Sequence, residues 1–246
     1  DAGIPYFMSN RYSLSFTPIS RLIISALQVI IRSWRREDLV ALIRTGISSV
    51  TSDEGDAFQQ YTDTWRLHGK GSFPEDEDWA MSFYGFNDIR NNERESKVIG
   101  LANSARSKIA MPISVFEEVF RGGCLVSEAC RALYRLLIDL EVPDGIKRLS
   151  HSFDNSGHRQ EAEIIRSSYN TVISLLDTAV DTLGDTKVGI REFFSIISIL
   201  LNSEDIGTIP PGSDVVQFGS AGDFRAGEGN IKHVLVLGMT DGEFPS

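Results

Sequence analysis

The chain has 246 residues, 41% of them hydrophobic and 24% charged, the composition of an ordinary globular protein with one or two domains. Its 34 acidic and 24 basic side chains leave a formal charge of −10, which excludes a chain that is basic throughout. A local basic groove can still sit on an acidic body. The longest apolar run, Leu22–Ile31, is broken by Ser25 and Gln28 and is too short to span a bilayer.

In chain order, Ile4–Met8 reads as a short strand with proline near its start, where a missing N–H is tolerated. Pro18 opens a helix whose apolar positions, Ile19, Leu22, Ile23, Ala26, Leu27, Ile30 and Ile31, follow helical spacing. A second helix covers about Arg36–Ile43 and stops at Gly46. Ser48–Asp56 reads as a polar loop, Phe58–Trp65 as a short helix, and Gly69–Asp78 as an exposed, turn-rich stretch. Ser114 and Glu117 have capping-box spacing, so a helix is expected from there to about Arg121. Ser127–Glu141 is a further helix, ended by Pro143 and Gly145. The longest periodic segment, Gln160–Leu183, predicts a helix of about 36 Å. Ile190–Leu201 is another apolar helix, and no convincing strand pair lies between residues 47 and 205. Strand signals return with Val215–Phe218 and with Val234–Gly238, a continuous apolar run suited to a buried parallel sheet.

These signals predict an α/β fold with a large all-α insertion. Residues 1–46 and 209–246 form the α/β part and residues 47–208 the inserted helical domain. The chain opens at Asp1 with neither a basic start nor an apolar core of a signal peptide, and we read it as a segment of a longer polypeptide. Cys124 and Cys130 fit neither a CxxC nor a zinc pattern. Buried free thiols in helical pattern, in a reducing cytoplasmic setting, are expected.

Catalytic constellations are sparse. His68, His151, His158 and His233 lack metal-site spacing, and no GxxxxGK[ST] phosphate loop occurs. Asp53, Glu54 and Asp56, and the acids of Glu75–Asp78, read as solvated loops. Arg32, Arg35 and Arg36 surround Trp34. They fit either a phosphate grip with a base-stacking ring, or a helix end with cations at the negative pole and the indole in the core. Arg90, Arg94 and Lys97 share a helical face with interleaved acids and read as a salt-bridged surface.

The terminal motifs carry more information. Val215–Ser220, Asp223–Arg225 and Ile231–Pro245, preceded by Ile209-Pro210-Pro211, resemble the motif V region of UvrD-like superfamily 1 helicases. More narrowly, they resemble the B subunit of the AddAB (RexAB) helicase–nucleases. Gly3–Phe7 resembles a strand of the second RecA-like domain of that family, and Tyr61–Trp79 loosely resembles part of its insertion. The resemblance implies a RecA-like parallel-sheet domain interrupted by a helical domain. It implies a parent protein that uses ATP, Mg2+ and an iron–sulfur cluster to process double-strand DNA ends for recombinational repair, beside a helicase–nuclease A subunit. Phe224 and Gly227 stand where an active motor carries His and Lys, so the resemblance implies a motor degenerate here, with no activity of its own, that reads a hotspot in single-stranded DNA. The expected DNA contacts are Gly219, Ser220 and Arg225, in a loop at the carboxyl end of a strand. The cluster cysteines, ATP loops and nuclease carboxylates are expected outside this chain. The alternatives are the second motor domain of an active helicase and a helical protein-interaction module.

Overall fold

A computed structural model describes residues 6–8, 11–73, 77–83, 93–207 and 216–218. In chain order its elements are β1 (Tyr6–Met8), β2 (Arg11–Ser13), a 3-10 turn (Leu14–Phe16), α1 (Pro18–Ile31), α2 (Arg36–Ile43), α3 (Ser52–Thr64), a second 3-10 turn (Lys70–Ser72) and α4 (Glu93–Val119). There follow β3 (Cys124–Leu125), α5 (Val126–Asp139), α6 (Val142–Asn155), α7 (Arg159–Leu183), β4 (Lys187–Val188), α8 (Ile190–Ser203), β5 (Asp205–Gly207) and β6 (Val216–Phe218). The chain divides into two compact units, one of Asp1–Asn10 with Ile209–Ser246, the other of Arg11–Thr208.

In the first unit β1 and β6 pair in parallel, with Tyr6 opposite Val216 and Met8 opposite Phe218. A parallel pair needs a crossover between its strands, and here the whole second unit separates them in sequence. The expected strand Val234–Gly238 lies outside the described residues.

The second unit is a helical body around α1. Pro18 starts α1 at a position where its missing N–H costs nothing, and the Thr17 hydroxyl donates to Leu14 O at 2.7 Å. Leu22, Ala26 and Leu27 are fully buried, each leucine contributing about 1.5–3 kcal/mol by leaving water. Because α1 packs against α2, α7 and α8, and α2 against α3, the expected domain break at 46/47 falls inside this unit. Gly46, at φ +72°, ends the second helical segment as expected. At Gly145 the backbone of α6 lies so close to Ile47 that an added Cβ would fall inside the Ile47 carbonyl.

Three local expectations are corrected. Residues 52–56 are helix, because the Thr51 hydroxyl accepts the Glu54 N–H while the Glu54 carboxylate accepts the Thr51 N–H, at 2.8 Å. Ser114 starts nothing: it lies inside α4, whose buried face is Ala102, Ala105, Ile109, Ala110, Ile113 and Phe116. Pro112 sits within that helix, and burial of this face offsets its cost of about 3 kcal/mol. Pro143 and Gly145 do not end α5. Leu140 and Glu141, the latter at φ +56°, make the turn, and Pro143 lies in the first turn of α6. Two antiparallel pairs, β2–β5 and β3–β4, were not legible as strands at all.

Candidate functional site

Trp34 was the sequence's best candidate for stacking on a base. Ser33 and Trp34 both adopt left-handed backbone, φ +57° and +59°, which turns the chain so that Trp34 N–H reaches Val29 O at 2.6 Å. The indole is driven inward, to 2% exposure. Its Nε1–H donates to Glu117 Oε2 at 3.1 Å, and Lys70 Nζ sits 5.7 Å from the ring centroid while also donating to Glu117, at 2.8 Å. Arg32 pairs with Asp38 at 3.2 Å, and Arg36 pairs with Glu37 and Asp63. The helix-end reading therefore holds, and the ring is closed to a nucleotide. Burial pushes the Asp38 carboxyl up, against the pull of Arg32.

In the stretch expected to be an exposed turn, Lys70, Gly71, Glu77 and Asp78 are exposed, while Phe73 and the adjoining Trp79 turn inward. Phe73 and Trp79 are buried. Trp79 stacks on Tyr61 at 4.8 Å and touches Phe58 and Phe73 at 5.7 and 5.9 Å. The buried Arg106 guanidinium lies 5.2 Å from the Trp79 ring, donating to Glu77 O at 2.6 Å and to Asp78 Oδ1 at 3.1 Å. Asn103 accepts the Trp79 N–H and donates to the Trp79 carbonyl, at 2.8 and 2.9 Å. The Tyr61 hydroxyl accepts the Met81 N–H. The acids near residue 54 are likewise not all solvated. Glu54 is 7% exposed, and it accepts from Lys108 Nζ at 2.7 Å and from the Ser104 hydroxyl at 2.6 Å. Burial pushes its carboxyl up, but Lys108, Ser104 and the Thr51 amide outweigh that and hold it at about 2.

The open concavities of the helical unit include three with arginines in their walls. One, of about 400 Å³, is lined by Phe16, Arg21, Ile24, Arg44 and Thr45, among others. A second, of about 470 Å³, is lined by Arg44, Ser48, Ser49, Thr51, Ser52 and Arg148, among others. Among the described residues neither wall holds a carboxylate. The third, of about 340 Å³ between α4 and α5, mixes Arg131 and Arg135 with Glu128 and Asp139. Sequence reasoning passed over Phe16, Arg21, Arg44 and Arg148. The available signal was Phe16, an aromatic side chain outside the periodic face of α1.

Among the described residues no cluster of His, Cys, Asp and Glu could hold a metal. Cys124 and Cys130 are buried and free, Cys124 on β3 rather than on a helix. Burial pushes both thiols up, Cys130 to about 11, with Asp177 adding to the effect. Cluster ligation needs thiolates and further ligands, so these residues do not fit an iron–sulfur centre. Among the described residues no helix is long and apolar enough to cross a membrane. Lys97 is exposed on α4, where Arg94 also lies, whereas Arg90 and the expected DNA contacts Gly219, Ser220 and Arg225 lie outside the described residues.

No family model matches the chain. Among curated proteins it is similar to the B subunit of the ATP-dependent helicase/deoxyribonuclease of Clostridium botulinum strain Hall, with 29% identity over 244 residues. The proteins of the same name from Clostridium acetobutylicum and Caldanaerobacter subterraneus subsp. tengcongensis are 28% and 27% identical to it. Each match covers 99% of this chain and 21% of the relative, so the chain spans about a fifth of the length of the curated relatives it matches. The resemblance read from the terminal motifs thus extends through the helical middle as well.

Proposed function

We propose, from this likeness to helicase/deoxyribonuclease B subunits, that the chain is the part of such a protein in which a helical domain interrupts a degenerate second RecA-like domain. The parent protein, assembled with a helicase–nuclease A subunit in the cytoplasm, uses ATP to process double-strand DNA ends for recombinational repair. This segment serves it as a DNA-channel module without turnover of its own. The carrying observation is the match over 99% of the chain to proteins of one name. The parallel pairing of β1 with β6 supports the interrupted sheet. The lack of a GxxxxGK[ST] loop supports a role without hydrolysis, since nothing here would cradle the β- and γ-phosphates. Gly219, Ser220 and Arg225 remain the proposed contacts of the motif V-like loop.

The test is reconstitution. A full-length B subunit carrying this segment, with its A subunit, should unwind and degrade linear duplex DNA in an ATP-dependent reaction, while the 246-residue chain alone hydrolyses no ATP. An assembled parent that leaves duplex ends intact overturns the reading. Arg225→Ala in that complex should weaken DNA affinity or the hotspot response, and unchanged values would leave the loop a structural role only.

A further inference from the structure

We infer that the face formed by α1, α2 and α6 is a second binding track, for single-stranded DNA, separate in sequence from the motif V-like loop. The choice of DNA rests on the reading above; the track itself rests on four observations. First, the two concavities of about 400 and 470 Å³ share Arg44 in their walls, so they adjoin. Second, among the described residues neither wall contains a carboxylate, in a chain with 34 acids.

Third, the cations there are available. Arg21 is exposed and has no ion pair among the described residues. Arg148 is exposed, and its single hydrogen bond among those residues runs from one terminal nitrogen to Ser48 O, at 2.9 Å. Arg44 pairs with Asp56 at 2.8 Å and donates to Gln59 Oε1 at 2.7 Å, but the Arg44 and Asp56 side chains are both more than half exposed. Such pairs contribute little and give way to a competing phosphate. Fourth, Phe16 is 73% exposed, more than any other large apolar side chain among the described residues, and it lines the first concavity. An exposed ring beside guanidinium groups provides the stacking platform and the phosphate contacts that a single strand uses. An acidic peptide would use the arginines but has no need of the ring.

The wall of the second concavity is also fixed in place. Ser49 N–H donates to Leu140 O, Lys108 donates to Ser49 O, and Arg148 donates to Ser48 O. Ser49 is therefore presented by a backbone that is already held, which lowers the ordering cost of binding.

The experiment is fluorescence anisotropy of fluorescein-labelled oligo(dT) on the 246-residue chain, repeated across a salt series. Phe16→Ala should weaken binding about ten-fold. Arg21→Glu should weaken it and make the log–log salt slope shallower by about 0.7. Arg191→Glu is the control. It is exposed and lies at the end of α8 opposite Glu204, whose carbonyl accepts the Leu14 N–H, so binding should not change. All three positions are exposed, and unchanged thermal melts will show that the variants fold. The track is overturned if the wild-type chain does not bind oligo(dT), or if Phe16→Ala and Arg21→Glu bind as well as wild type. It is also overturned if poly-glutamate binds the wild-type chain and oligo(dT) does not, which would assign the face to an acidic polypeptide. Duplex-end processing by the assembled parent is read separately, so loss of the track leaves that function standing, and failure of end processing is visible whatever the oligonucleotide does.

Discussion

Around Trp79 the charged groups are turned into the protein, whereas on the α1–α2–α6 face they are turned out of it. Arg106 is buried against an indole with its donors on Glu77 and Asp78, and Lys108 closes onto the buried Glu54 carboxylate. Among the described residues Arg21 has no partner of this kind, and Arg148 has one backbone carbonyl. The aromatic rings follow the same division: Trp79 is 7% exposed and Phe16 is 73% exposed. Residue type alone does not separate an architectural arginine from one free to meet a ligand. What separates them is whether a carboxylate or carbonyl within the fold already fills the donor geometry.

Substitutions on the two sides test that contrast. The largest effect is expected at Trp79, whose replacement by alanine removes the stack on Tyr61 and the contacts with Phe58 and Phe73. Urea denaturation should show a loss of about 3–5 kcal/mol, and a loss below about 1 kcal/mol would mean that the loop does not clamp α3 to α4. Next is the acid sensitivity of Glu54. Its carboxyl falls from an ordinary 4.5 to about 2 in the folded chain. The stabilisation is therefore fully present above pH 4.5 and disappears as pH falls through 2, about 3 kcal/mol in total. Stability measured against pH should lose that portion of its slope in Glu54→Gln.

Gly145→Ala comes third. The new methyl meets the Ile47 backbone, and a cost of about 1–3 kcal/mol is expected in the same denaturation experiment. The smallest effects belong to the other side of the comparison. Phe16→Ala and Arg21→Ala should each change stability by no more than about 0.5 kcal/mol. A larger loss would place those side chains among the structural ones.

The helices legible in the sequence were those whose apolar residues repeat with helical period along one face: α1, α5, α7 and α8, and α2 between clear stops. The others were obscured for identifiable reasons. The first turn of α3 is Ser52, Asp53 and Glu54, polar because it is a capping box rather than a loop. α4 buries alanines where larger residues would have shown the period, and Pro112 with Ser114 imitates a break and a restart. Pro143 and Gly145 look like a stop, yet one opens α6 and the other lets it approach Ile47. The fate of Trp34 was set by a left-handed turn at two non-glycine residues, a conformation that local sequence disfavours and burial of the indole compensates. The concave face could not be read at all, because Phe16, Arg44 and Arg148 are brought together only by packing.

The antiparallel pair β2–β5 has a wider consequence. Arg11 faces Gly207 and Ser13 faces Asp205, and facing residues in such a pair are about 4.5–5.5 Å apart. The helical unit, Arg11–Thr208, thus begins and ends at one doorway. For the polypeptide that carries it, the unit is topologically equivalent to the tip of a hairpin. The entropy of bringing its ends together is met within its own folding, not charged to the flanking strands. A cassette of this kind can be gained, exchanged or excised in a gene while the residues on either side stay in register.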